Sequence, residues 1–455
     1  MEKRMRAVTV VAAALAAVLG GATTAYAAPP RSDHTLATYV LGPGQDPQAV
    51  SAALRAGHTA DELGLRPADQ LATSTQNQQN TFSAHRAAVP ADSPPGSDDP
   101  TVPPTPLTFE NCVSAAPSGT MYVQDRYDVC EWATFYITEY VNREPVGEGW
   151  FTGTLVGTAG FGRNSSRTLR FSERLTDFGF TSGFDPQLGI NAHAKCLVNL
   201  GSTACTTSGD QQSGEFAIWE LLGGPSWTYT ATLAGGTGTG RDDVSKETLS
   251  AMFDLTPPPN FDQNVDPLRF SGFGGRWDNA SYIKIGGVSG GAAIFNYLQP
   301  MVYHLTGHGV DEVAAHIKTA LDNPSSTYPP KPGKVLPGKE ATGPLHRLSP
   351  DYSLNNAFRY EYNREDATAF CESPRPTGQQ CDEYPFASTY EGGAQWLYVD
   401  GVTPFDISVR LVNKDQNREA GTDLKDFYKY YRILDPGYTS NFRPTDLDYY
   451  YMDIR

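Results

Sequence analysis

The string CDEYPFASTYEGG, residues 381–393, puts two adjacent carboxylates, Asp382 and Glu383, directly after a cysteine. A third, Glu391, stands before two glycines. Carboxylates crowded in this way can do two kinds of chemistry. One can take a proton as a general base, and the others can hold a hard divalent cation through oxygen. Further on, NKDQNREAG at 413–421 adds Asn417, another oxygen donor, and Arg418, whose planar guanidinium suits a phosphate. Each residue also has a plainer reading. Glu383 can pair with Arg418, Glu391 can belong to a turn, and Asn417 can cap a helix. An ordinary Asp ionises near a pKa of about 3.9. Crowding by Glu383 or desolvation by Tyr384 and Phe386 would raise Asp382, and a nearby cation would oppose the rise.

These residues need elements to hold them. QWLYV at 395–399 reads as a strand, and DISVRLV at 406–412 alternates as a second, with a turn at 401–404. Leu424, Phe427, Tyr428 and Tyr431 then recur at helical spacing. Asp415 or Asn417 can cap that helix. The order is acidic motif, strand, strand, polar cluster, helix. Gln416, Asn417 and Arg418 fall near the helix N-terminus, where free N–H groups and the helix dipole suit a phosphate.

Together, the acidic string and the downstream NKDQNREAG, preceded by NREDATAFCESPRPTGQQ, resemble the NucA/NucB family of secreted bacterial deoxyribonucleases over roughly residues 340–455. The resemblance implies a compact ββα-metal nuclease core with one divalent cation, Mg2+ or Mn2+, cutting DNA with little sequence preference. Phosphodiester hydrolysis needs a base for water, neutralisation of the phosphate and help for the leaving O3′. Histidine is the usual base in ββα-metal nucleases, but the last histidine here, His346, precedes the motif. Asp382 is therefore the expected base, in keeping with the family's use of aspartate. Glu383, Glu391 and Asn417 are the expected metal ligands, and Arg418 the phosphate clamp.

The rest of the chain sets the context. Lys3, Arg4 and Arg6, an apolar run from 7 to 19, and Ala25-Tyr26-Ala27 form a secretory leader over 1–27. The apolar run is too short to span a membrane. Six cysteines in an exported chain read as three disulfides, with local pairs favoured: Cys112 with Cys130, Cys196 with Cys205, Cys371 with Cys381. Residues 28–106 read as a disordered pro-region or linker with room for one short helix at 46–56. Residues 107–322 read as an all-β, sandwich-like accessory domain. Its strand candidates include TFYITEYV, WFTGTLVGTA, TLRFSERL, GEFAIWELL, WTYTATLAG and LSAMFDLT. DEVAAHIKTALD at 311–322 is helical, with Val313, Ile317 and Leu321 on one stripe. His304 and His308 have helical spacing, but Gly307 and Gly309 flank the second, and no CxxC pattern accompanies them. A Pro- and Gly-rich linker at 323–344 then leads to the nuclease unit at 345–455.

The expected fold class is α+β overall, an N-terminal all-β sandwich-like domain followed by a C-terminal ββα-metal-type nuclease domain. A formal net charge of -16 argues against a general polyanion-binding surface, so a DNA substrate requires a local basic patch or a bound cation. The leading function is a secreted, metal-dependent, non-specific endodeoxyribonuclease. The alternative is a secreted adhesion protein whose β domain binds cell wall or glycan and whose nuclease fold is inactive.

Overall fold

The structure, a computed structural model, describes residues 34–68, 99–103, 105–162, 167–200, 204–233, 243–371 and 375–455. The leader expected at 1–27 lies outside the described residues, as does much of 28–106. The rest of that stretch is partly folded, contrary to the sequence reading. The strand His34–Val40 pairs antiparallel with Asp128–Val141, from His34 opposite Val141 to Val40 opposite Phe135. The short helix expected nearby is Pro47–Arg55, capped by Asp46. Its Val50 and Leu54 bury against Leu41, Leu65 and Tyr136. Its Ser51 and Arg55 hold the buried Glu148 carboxylate at 2.7 and 2.9 Å.

The chain is α+β, with antiparallel sheets in the N-terminal region and its longer helices towards the C-terminus. One sheet is built on Asp128–Val141, Glu144–Thr158 and Thr168–Phe180, the other on Gly189–Leu200 and Val244–Thr256. Alternate side chains turn inward, as a strand's period of two requires. Phe135, Phe151 and Phe171 of the first sheet thus share one core with Leu249 and Phe253 of the second. Phe135 meets Phe253 with ring centroids 5.4 Å apart. Each such side chain contributes about 1.5–3 kcal/mol when fully buried. One expected strand is a helix instead. GEFAIWELL contains Phe216–Leu222, helical because its buried residues, Phe216 and Trp219, stand three apart. Gly223 ends it in the left-handed region at φ 78. The three cysteine pairs bond as their proximity in sequence suggests.

The boundary with the C-terminal unit lies earlier than the sequence suggests. Its strands are β1 (Met301–Tyr303), β2 (Gln379–Tyr384), β3 (Ser408–Asn413) and β4 (Met452–Ile454). Its helices are α1 (Asp311–Asp322), α2 (Leu354–Ala369) and α3 (Lys414–Tyr430). β4, at the end of the chain, pairs in parallel with β1, Met301 opposite Met452. α1 buries Val313, Ile317 and Leu321 in a core shared with Tyr384, Leu424, Phe427 and Tyr450. It therefore belongs to this unit and not to the β-rich one. Residues 323–344 are not a free linker either. Leu336 is buried in the same core, and Tyr384 donates from its hydroxyl to the Pro337 carbonyl at 2.6 Å. The buried Lys334 ammonium donates to the Ile407 carbonyl at 2.9 Å.

The two units meet through buried charges. Asp448 accepts from Arg126 at 2.6 Å and Arg276 at 2.7 Å, both from the β-rich unit. Arg432 donates to Asp278 at 3.0 Å. Burial alone would raise Asp448, but the two guanidinium groups outweigh it and hold the carboxyl well below its usual range.

Other acids of the β-rich unit have no such partners. Burial pushes Asp125, Glu131 and Glu139 up to about 7 each, and Glu173 well above its ordinary value. The folded state thus holds protons that the unfolded chain releases near a pKa of about 4. Stability that is full below that pH is lost as pH rises through about 7. Asp448 titrates below this window and does not counter the trend. Thermal melting at pH 8 should therefore give a lower Tm than at pH 5, by about 2–4 °C for each kcal/mol lost. An equal or higher Tm at pH 8 would contradict this account.

Candidate active site

The acidic motif lies on a strand. β2 and β3 pair antiparallel from Gln379 opposite Asn413 to Tyr384 opposite Ser408, and α3 follows without a loop. Residues 395–399, expected as a strand, fall instead at a 3-10 turn, Gly393–Leu397. α2 dictates this. The Asn363 side chain accepts from the Ala394 N–H at 3.0 Å, and a Cβ at Gly392 would sit 2.4 Å from that side chain. Cys371, just past the end of α2, bonds to Cys381, which fixes the strand directly before Asp382.

Successive strand residues point to opposite faces. Asp382 is buried and meets α1, where it accepts from His316 Nδ1 at 2.6 Å. A carboxylate can only accept, so Nδ1 carries the proton. In the neutral ring, Nε2 then accepts from the Ser408 hydroxyl at 2.7 Å. Glu383, half-buried, has Tyr360 and Arg364 of α2 for neighbours. Burial, then the charge of Asp382, pushes its carboxyl up to about 7.

Both residues line one cleft of about 470 Å³ with Arg347, Tyr360, Asn417 and Lys425. Asn417 uses its amide nitrogen on the Cys381 carbonyl at 3.2 Å, which leaves Oδ1 as an oxygen donor. It is not the helix cap. Asn413 fills that role, accepting from the N–H groups of Asp415 and Gln416. Gln416 accepts in turn from Glu312 N–H at 2.7 Å, so this helix end is tied to α1.

Two expected site residues are not brought in. Glu391 does not line the cleft. Its carboxylate is bound by the His346 ring at 2.8 Å and the His346 N–H at 3.0 Å. Burial opposes charge on His346, but Glu391 beside it outweighs this and raises the imidazole. Arg418 points to solvent and pairs with Asp415 at 3.2 Å. The cations on the cleft wall are Arg347 and Lys425. Arg347 is fixed by the Ile433 carbonyl at 2.7 Å.

The histidines are the main omission from the sequence reading. None follows the motif, yet His316 and His346 each contact one of its carboxylates. His316 had one signal, a polar residue on the inward stripe of α1 beside Val313 and Ile317.

No curated protein and no solved structure matches the chain. Residues 355–437, which carry α2, β2 and α3 with Asp382, Glu383 and Asn417, match the family model for the deoxyribonucleases NucA and NucB.

Proposed function

We propose that the chain is a secreted, metal-dependent endodeoxyribonuclease that hydrolyses phosphodiester bonds in the cleft between β2, α2 and α3. The convergence of Asp382, Glu383 and Asn417 on one cleft inside the matched segment carries this reading. Asp382 takes the proton from the attacking water. His316 holds Oδ2, which leaves Oδ1 for that proton. Lys425, which has no ion pair among the described residues, draws the DNA phosphate in, as Arg418 was expected to do.

The donor set fits a hard divalent cation. Glu383 offers carboxylate oxygens and Asn417 its Oδ1, and burial with the charge of Asp382 beside it raises the Glu383 carboxyl, a rise that a bound cation would oppose. These two residues would hold Mg2+ or Mn2+ with water filling the other positions. When bound, the cation supplies charge neutralisation at the phosphate and at the leaving O3′. Three disulfides support export, and no helix among the described residues is long and apolar enough to cross a membrane. The intact acidic pair weighs against an inactive adhesion protein.

Plasmid nicking tests the reading. Cutting should stop after EDTA treatment and return with added Mg2+ or Mn2+. Full activity after exhaustive chelation would remove the metal. No activity under any metal would remove the enzyme.

A further inference from the structure

Arg347 lines the cleft, yet it lies outside the segment 355–437 that matches the family model. One edge of its guanidinium is anchored. Nη1 donates to the main-chain carbonyls of Ile433 at 2.7 Å and Tyr428 at 3.4 Å. The guanidinium carbon stands over two rings, 5.0 Å from the centroid of Tyr428 on α3 and 5.3 Å from that of Tyr282. Nε and Nη2 have no acceptor, and the group has no ion pair, among the described residues. Asp435, a carboxylate within range of its charge, commits its oxygens to the Ser349 N–H at 2.6 Å, Asn356 at 2.7 Å and the Tyr390 hydroxyl at 2.8 Å. Tyr282 belongs to the β-rich unit, just after its strand Phe273–Asp278. It is buried, and its hydroxyl accepts from the Asp435 N–H at 2.9 Å, which fixes the ring across the boundary between the units. An arginine held in this way loses little freedom when an anion arrives. Its open edge, Nε with Nη2, is the geometry that takes two oxygens of one phosphate.

We propose that Arg347 is a further catalytic residue, binding the non-bridging oxygens of the scissile phosphate as they gain charge in the transition state, and that Tyr282 of the β-rich unit is its positioning residue. This rests on the nuclease reading above and divides the work between the two cations of the cleft wall. Lys425 is exposed, a point charge that attracts DNA before the reaction. Arg347 is fixed in advance and acts on the charge that develops during it, where a preorganised donor has its largest effect. The β-rich unit thereby takes part in the chemistry, through a residue that the family match does not cover.

Single-turnover cleavage of an oligonucleotide by the full chain at saturating Mg2+, with DNA affinity and melting followed in parallel, tests this. Arg347→Ala should lower the rate at saturating DNA by at least roughly a hundredfold. Its Kd for DNA and its Mg2+ requirement should change far less. Arg347→Lys should stay well below the parent, because an ammonium lacks the planar fork. Added guanidinium ion should restore part of the rate to Arg347→Ala and none to Asp382→Asn, a rescue that a purely bracing arginine would not show. Lys425→Ala should give the opposite split, its main loss falling on DNA affinity. Tyr282→Leu should slow cleavage about tenfold, and Tyr282→Phe, which keeps the ring, should recover most of that loss. In an Arg347→Ala background, Tyr282→Leu should add little, since it acts through the arginine. If the parent cuts DNA and a folded Arg347→Ala variant cuts within a few-fold of it, the proposal is wrong and the nuclease reading stands. If the parent cuts under no metal, both fall.

Discussion

Asp382→Asn should cut the rate of DNA cleavage by at least roughly a hundredfold, the lower end of a general-base contribution. The amide keeps the size of the carboxylate and can still accept from His316 Nδ1, so the buried contact at 2.6 Å survives in outline. It cannot take a proton from water. Glu383→Gln and Asn417→Ala should behave differently, raising the Mg2+ concentration required while excess metal restores part of the rate. His316→Ala should lower the rate through Asp382, and its effect should be small in a variant that already lacks Asp382. Single-turnover cleavage across a metal titration, with melting followed in parallel, separates these cases. A folded Asp382→Asn variant that cuts DNA within a few-fold of the parent would remove Asp382 from the mechanism.

Asp448→Ala should be the most damaging single change to stability. It leaves Arg126 and Arg276 almost fully buried with their shared carboxylate gone. It also strips the Leu434 N–H of its acceptor at 2.8 Å. Breaking a buried pair from one side costs about 3–5 kcal/mol, because the remaining charge is uncompensated. At about 2–4 °C per kcal/mol, Tm should fall by roughly 6–20 °C. Arg418→Ala, which removes an exposed pair with Asp415, should cost about 1 kcal/mol or less. A fall in Tm no larger for Asp448→Ala than for Arg418→Ala would show that the network does not bind the units together.

The same contacts bear on truncation. A piece beginning at residue 345, where the sequence suggests a domain start, lacks β1 and α1. It leaves β4 without its parallel partner and Asp382 without His316. Arg432 would lose Asp278, and Asp448 both of its arginines.

By itself, the sequence determined what depends on near neighbours. The period of two in TFYITEYV and the stripe of Val313, Ile317 and Leu321 are set within one element, and both appear as strand and helix. The cysteine pairs, separated by 18, 9 and 10 residues, follow from short loops being the easiest to close. The acidic string and Asn417 fall inside the matched segment, and their order and spacing are readable without the fold. GEFAIWELL marks the limit, because a short apolar run fits either period until burial selects one. Only the tertiary structure decided which residues share a cleft. His316 reaches Asp382 across 66 residues of sequence, and His346 claims Glu391 across 45. Arg418 and Lys425 stand seven residues apart, about two turns, on nearly the same face of α3, so position along the helix axis decided between them: Arg418 in the first turns pairs with Asp415 in solvent, and Lys425 reaches the wall. The unit's true start at β1 rests on a parallel pairing with the end of the chain, and no periodicity within either three-residue strand encodes that partnership.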